Sequence, residues 1–393
     1  MGQCDETLPS CARCRRRREV CSYLEQYSPP PTVTLPLRLP PFSIERPDAA
    51  TEHLEDMDLA HIFLTETYAT LWSGTRGQMT WRDTVWKAAL RQPALLNGIL
   101  AMAAMHKVVA MSAPPPPLPH DTDPGPSPGP DRRYQVMALR KQAATLPAFV
   151  ALLAKLDETT CHDSFVLSIL VCFWAFASRN LPVQLGIFDA EGDPASWRNV
   201  RANLPATNPV NDFVQICRKL KPITILTRQC HGWLKQGPMS AFMETPAIDD
   251  LPSLGSDAAH ALDKLERRLE IKAPHLLDFG SAQQRPLLSF RFAYRAVQCR
   301  EWLELAIAWP SLLPEVFVEE LETGSEAALT VLSYWAVAFQ PLDIYWWAKG
   351  WAAALVIHIA ARVRGEWAEL VKWPLETIVA RKGGIASSST GSI

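Results

Sequence analysis

Apolar residues recur at helical spacing along most of the chain, and this periodicity constrains the fold more than any other feature. The first stripe joins Leu59, Ile62, Phe63, Tyr68, Leu71 and Trp72. Further helices are predicted over 95–109, 133–156, 161–177, 210–235, 256–270, 287–308, 325–340 and 344–363. Sustained alternation of period two, which is typical of β-strands, is almost absent. The sequence therefore predicts an all-α protein.

Composition supports a large helical body with short appendages. Hydrophobic residues make up 48% of the 393 residues and charged residues 20%, which is enough apolar side chain for a sizeable core. The predicted organisation is a Cys/Arg-rich module (1–25), a Pro-rich linker (26–52), a helical domain (53–380) with a disordered Pro/Gly-rich insertion (113–131), and a flexible tail (381–393). The net charge is only −2, so any binding to nucleic acid must come from a local basic patch.

Hydropathy predicts no membrane span. The longest apolar runs, near Phe165–Ala177 and Ala352–Ala361, are shorter than the roughly 20 residues that a bilayer requires. The polar first 20 residues do not resemble a secretion signal, which favours a reducing, intracellular compartment. Five cysteines lie in helical patterns, where small core residues are expected: Cys161, Cys172, Cys217, Cys230 and Cys299.

The other four cysteines form a motif with the spacing of metal ligands. Cys4, Cys11, Cys14 and Cys21 follow the spacing Cys-x6-Cys-x2-Cys-x6-Cys. Zinc prefers four thiolates in a tetrahedron, and a Cys-x2-Cys pair places two sulfurs within reach of one ion. A module this small has no core of its own, so metal binding would supply the free energy of folding. We therefore predict a zinc site in the first 25 residues.

Basic residues lie between these cysteines in the sequence. Five arginines fall within six positions: Arg13, Arg15, Arg16, Arg17 and Arg18. Arginine donates several hydrogen bonds in a planar array that matches phosphate, so a metal-held cluster of arginines predicts contact with a DNA backbone. The alternative reading is a disordered Arg/Cys tail with chance spacing.

The motif resembles the second part of the fungal six-cysteine binuclear zinc cluster. Cys4 matches the third cysteine of that family, and Cys11, Cys14 and Cys21 match the fourth to sixth. Pro9 matches the proline of the intervening loop. The resemblance implies a nuclear transcription regulator that binds promoter DNA.

The first two cysteines of the family, and the basic residues around them, have no counterpart in the chain. The resemblance implies that the missing part reads the bases, and the remaining arginines would contact phosphate without specifying sequence. We expect at most one tight zinc ion per chain. Either the coding sequence begins further upstream or the chain is a decayed copy of a complete regulator.

The helical body resembles the regulatory domain of the sterol uptake control group. The matching segments are Asp58–Trp72, Trp81-Arg82, Leu95–Ala101, Ala175–Ser178, Leu332–Leu342, Trp346–Trp351, Trp367 and Lys372–Pro374. The resemblance implies an all-α domain that forms homodimers and senses a sterol in an apolar pocket.

Tryptophans are concentrated near the end of the body, where eight of the 14 lie between Trp302 and Trp373. The predicted lining residues of a pocket for a sterol-like or lipophilic ligand are Trp335, Phe339, Trp346, Trp347 and Trp351. On one helix, Trp347 and Trp351 would share a face and Trp346 would lie about 100° away. The alternative is that these aromatic rings fill the core between helices.

Two other classes of function compete with a DNA-binding regulator. No nucleophile elbow, zinc-protease helix, phosphate-binding glycine loop or dinucleotide fingerprint is present, so we do not expect an enzyme. His106, His162, His231 and His358 stand singly in helical patterns, which is typical of core histidines. The second class is a regulator without DNA-binding capacity that acts through a dimer partner.

Overall fold

The computed structural model describes residues 47–111, 132–178, 208–277, 286–299 and 302–387. These residues belong to one compact unit, are mostly helical and contain no β-strand. The prediction of an all-α body is therefore confirmed. The predicted module, most of the linker and the 113–131 insertion lie outside the described residues.

Fourteen α-helices occur in the described part of the chain. They are α1 (Ala49–Ile62), α2 (Thr75–Met79), α3 (Trp86–Ala89), α4 (Pro93–Met111), α5 (Arg132–Leu153), α6 (Cys161–Ala177), α7 (Pro209–Gln236), α8 (Ser256–Lys272), α9 (Pro286–Gln298), α10 (Leu305–Leu312), α11 (Glu315–Thr323), α12 (Glu326–Phe339), α13 (Trp351–Ala360) and α14 (Gly365–Ser387). π-Helical turns cover Phe63–Thr67 and Thr80–Val85.

Helices α4 and α5 form the most extensive helix pair, and α4 also packs against α6. Gly98 of α4 allows the close approach, because a Cβ atom there would lie 3.0 Å from Leu170 and 3.5 Å from Thr145. Helix α6 in turn packs against α7, and α12, α13 and α14 pack against one another. One continuous apolar core runs through these helices.

A network of ion pairs fixes α1 to α5. Lys141 Nζ lies 2.5 Å from Asp56 Oδ1 and 3.6 Å from Glu52 Oε1, and the Lys141 side chain is only 5% exposed. Arg140 pairs with Glu55, whose side chain is also largely buried. Removal of one member would leave a poorly solvated charge, so we expect it to weaken the docking of α1 on α5.

Four predicted boundaries differ from the structure. Helix α1 begins at Ala49, inside the predicted linker, because the Asp48 carboxylate caps it by accepting a hydrogen bond from Thr51 N at 2.8 Å. The predicted helix 287–308 is two helices, α9 and α10, which pack against each other. The predicted helix 344–363 is confined to Trp351–Ala360. Helix α14 extends to Ser387, into the predicted tail.

Three helical segments are long and apolar enough to cross a bilayer, judged by length and composition alone. They are Pro93–Met111, Arg133–Leu153 and Glu326–Ile344, of which 61%, 28% and 78% respectively is buried inside the protein. The expected absence of a membrane span stays a prediction.

Candidate functional site

The five residues predicted to line a ligand pocket all lie in the core. Trp335, Phe339, Trp347 and Trp351 are at most 1% exposed, and Trp346 is 9% exposed. Each of these rings packs against other rings of the protein.

Trp335 and Phe339 lie one turn apart on α12, with ring centroids 4.7 Å apart. Trp335 also packs against Phe213 at 4.8 Å and stacks on Trp309 at 5.5 Å. Its indole Nε1 donates to the backbone carbonyl of Ala306 at 2.9 Å. Protein groups thus satisfy the polar end of this tryptophan and surround its apolar rings.

Trp347 and Trp351 close the neighbouring part of the core. Trp347 packs against Phe173 with ring centroids 4.7 Å apart, and Trp351 and Phe176 pack edge to face at 5.4 Å. Trp347 Nε1 donates to the carbonyl of Thr70, and Trp351 Nε1 donates to the carbonyl of Phe176, both at 2.9 Å. These bonds connect the residues at the start of α13 to Thr70 and to the end of α6.

The predicted helix-face relation of Trp346, Trp347 and Trp351 is wrong. Trp346 and Trp347 precede α13, and Gly350 adopts the left-handed conformation (φ 80°) immediately before it. This backbone is readily accessible only to glycine, and it changes the chain direction between the residues. All three tryptophans therefore turn into the core, although one continuous helix could direct only one face inward.

A polar cluster lies at the edge of this core. Trp346 stacks on the imidazole of His106 at 5.0 Å and donates from Nε1 to Thr70 Oγ1 at 2.9 Å. Thr70 Oγ1 donates to the carbonyl of Thr67 at 2.7 Å, and Thr67 Oγ1 lies 3.1 Å from Nδ1 of His106. His106, Thr67, Thr70 and Trp346 thus form one connected group, which we call the His106 cluster.

The π-helical turn Phe63–Thr67 positions the His106 cluster. It ends at Thr67 and is followed directly by a 3-10 turn, Tyr68–Thr70. π-Turns are rare and are frequently found at functional sites. The apolar stripe from Leu59 to Trp72 predicts a regular α-helix here. No residue pattern in it predicts the change from α-helix to π-helix.

A second, partly buried polar contact joins two distant parts of the chain. Glu304, just before α10, accepts hydrogen bonds from the backbone N and from Oγ of Ser73, the latter at 2.8 Å. Burial raises the pKa of Glu304, and the bonds from Ser73 oppose this rise. Burial, with a smaller contribution from Glu304, raises the pKa of Tyr345 to about 12. No local pattern predicted the bonds between Ser73 and Glu304, which are 231 residues apart.

His106 gives the body a pH-dependent contribution to stability. Burial lowers the pKa of His106 from 6.5 to about 4, with Glu66 raising it and Lys107 lowering it by smaller amounts. The folded state thus favours neutral imidazole, so its stability is fully present above pH 6.5 and falls between pH 6.5 and 4, where the unfolded chain takes up the proton first. We expect wild type to lose about 2–3 kcal/mol more than His106→Gln across this window in urea unfolding. Parallel pH profiles of the two proteins would contradict this assignment.

The four histidines predicted to lie in the core have different environments. His106 is largely buried and hydrogen-bonded, as predicted. His162 and His358 are half-buried, and His231 is exposed on α7, so the prediction is wrong for His231. Of the five body cysteines, Cys161, Cys172, Cys217 and Cys230 are buried and Cys299 is half-buried. The core role is thus confirmed for four of them.

The predicted zinc ligands Cys4, Cys11, Cys14 and Cys21 lie outside the described residues. So do the predicted DNA contacts at Arg13 and 15–18. Within the described ranges, no group of three or more His, Cys, Asp or Glu side chains could hold a metal ion. No protein-family model matches the chain, and no curated protein matches it significantly.

Proposed function

We propose that the chain is a zinc-dependent, nuclear transcription regulator in which the N-terminal Cys/Arg module contacts promoter DNA and the helical body is the regulatory domain. The observation that carries the proposal is the joint occurrence of four cysteines at zinc-ligand spacing and five arginines among them. Four thiolates are the donor set that structural zinc prefers, and clustered arginines suit a phosphate backbone. We further propose that the chain works as a homodimer.

The packing of the body bears on how the proposed regulatory domain would work. Two of its partly buried polar groups, Glu304 and the His106 cluster, bond to neighbouring protein groups. The five aromatic residues expected to line a pocket pack against other side chains of the protein, so a lipophilic ligand at this place would have to displace them. Ligand sensing at these five residues is therefore not the form of regulation that the geometry favours.

The zinc content of the purified full chain tests this proposal. We expect close to one tightly bound zinc ion per chain by elemental mass spectrometry, and loss of that ion from Cys14→Ser, because the remaining thiolates no longer complete a tetrahedron. Cys299→Ser is the matched control, since Cys299 is a half-buried cysteine of the body, and it should keep the metal.

A zinc-free wild-type chain, or an unchanged zinc content in Cys14→Ser, would contradict the proposal. A zinc-free chain that also fails to bind DNA would favour the second candidate, a regulator that lacks DNA-binding capacity and acts through a partner. The incomplete match to the six-cysteine pattern is the observation that keeps this candidate open.

A further inference from the structure

Helix α5 leaves an apolar face uncovered. Its buried side is formed by Met137, Lys141, Thr145 and Phe149, which follow one another at a spacing of four residues and are at most 8% exposed. Only 28% of the apolar stretch in α5 is buried, whereas 61% and 78% of the stretches that contain α4 and α12 are buried. Within the described ranges, α5 is thus a long apolar helix whose surface is mostly open to solvent.

The open face of α5 carries an apolar repeat in which spacings of three and four residues alternate. Its members, which we call the α5 seam, are Val136, Leu139, Ala143, Leu146, Val150 and Leu153. Ala143 and Val150 are exposed, the latter to 65%, and the other four are half-buried. Of the six, only Leu153 packs against the apolar core of the described residues. Alternation of three and four residues is the spacing by which one helix packs along another, so the α5 seam has the pattern of a helix–helix contact.

The second half of α5 carries no charged side chain. From Gln142 to Ala154 the sequence contains no acidic residue, no lysine, no arginine and no histidine. The two cations just before this stretch are engaged by α1, because Arg140 pairs with Glu55 and Lys141 pairs with Asp56. In a two-fold symmetric dimer a surface patch meets its own copy, so a charge near the axis would face a like charge. A neutral seam avoids this repulsion and therefore fits a second copy of the chain better than a charged partner.

The size of the α5 seam sets the strength of association that it can support. The repeat spans 18 residues, so it is about 25 Å long, and a helix is about 10 Å wide. The seam would thus cover roughly 250 Å² on each copy, which is less than the roughly 800 Å² per partner of a stable interface. Association through the seam alone should therefore have a micromolar rather than a nanomolar Kd.

We propose that two copies of the chain associate through the α5 seam, with the seam of each copy packed against that of the other. The inference rests on the homodimer of the proposed function and assigns this homodimer to one surface. It does not depend on the zinc site. A weak contact of this kind suits a regulator whose two copies meet on one DNA molecule, because the second contact then becomes intramolecular and needs little affinity of its own.

Analytical ultracentrifugation of the full-length protein in the absence of DNA tests the proposal. Between about 1 and 100 µM, a range that brackets a micromolar Kd, the average mass should rise from that of one chain towards that of two. Val150→Glu should raise the Kd by about tenfold or more, because it places a carboxylate of each copy in an apolar contact. Ala143→Glu should act in the same way, whereas Val150→Ile should keep the association, since it preserves the apolar, β-branched side chain.

Leu54→Glu is the matched control. Leu54 is 67% exposed, close to the 65% of Val150. Helical spacing places it on the side of α1 opposite to Glu55 and Asp56, which pair with α5. The control should therefore associate as wild type does. Circular dichroism should show that the glutamate variants stay folded, because both replaced side chains are exposed in the single chain and the new carboxylates remain solvated there.

Two results would overturn the proposal in different ways. A wild type that stays monomeric up to about 100 µM would overturn it together with the homodimer, whether another part of the chain, a different protein or a lipid covers the seam. A dimer whose Kd is the same in wild type, Val150→Glu and Ala143→Glu would overturn the assignment to the seam and leave the homodimer standing. The zinc content of the chain tests the rest of the proposed function separately.

Discussion

Replacement of Trp335 by alanine should lower the free energy of unfolding of the body by about 3–5 kcal/mol. Trp335 is fully buried, packs against Phe213, Trp309 and Phe339, and donates a hydrogen bond to Ala306. The truncation would remove the indole and leave a cavity among rigid rings that cannot easily collapse. It would also leave the Ala306 carbonyl without this donor.

Urea unfolding followed by circular dichroism measures this loss. Trp233→Ala is the matched control, because Trp233 is also on a helix of the body but is 41% exposed, so it should cost about 1 kcal/mol or less. The comparison also tests the ligand-pocket expectation. A cost below about 1 kcal/mol for Trp335→Ala would show that this ring borders open space, as a sensing cavity would require.

The helical periodicity was sufficient to predict the fold class and several helices. The predicted segments 161–177 and 325–340 agree closely with α6 and α12, because both are apolar over nearly their whole length and end at clear boundaries. The density of aromatic residues likewise identified Trp335 and its neighbours as candidate core or pocket residues. Periodicity alone could not separate ring-filled core from ligand cavity, since both require the same apolar side chains.

A turn without glycine or proline was one source of error. Residues 299–304 contain neither, so the apolar pattern predicted one helix where α9 and α10 are separate. The opposite error occurred at α11, which was not predicted although Pro314 precedes it and Gly324, with φ 79°, ends it. A proline before a helix and a glycine after it are common start and stop signals, so these two residues could have identified α11.

The candidate site depended on contacts that no local pattern encodes. The His106 cluster joins Thr67 and Thr70 to Trp346, which is 276 residues from Thr70. A single histidine in an apolar helix gives no signal of such a partner.

DNA binding by the full chain should fall steeply with salt. Each phosphate neutralised by an arginine contributes about 0.9 to the slope of log affinity against log salt, so Arg13 and 15–18 together give a slope of about −4.5 at most. A fourfold rise in salt should therefore weaken binding by roughly 10²–10³-fold. Replacement of the five arginines by glutamine should abolish this dependence, whereas replacement by lysine should largely keep it, since the charge remains. Little preference among DNA sequences is expected, because phosphate contacts carry no base information.

The most direct test of the account is the affinity of the full chain for a fluorescently labelled duplex, measured by anisotropy at low salt before and after zinc is removed by a chelator. Since the metal supplies the folding free energy of the Cys/Arg module, its removal should weaken binding by about tenfold or more, and added zinc should restore it. Cys14→Ser should bind as weakly as the zinc-free wild type. An affinity that is unchanged when elemental analysis shows the zinc to be gone would contradict the claim that a zinc-held module makes the DNA contact.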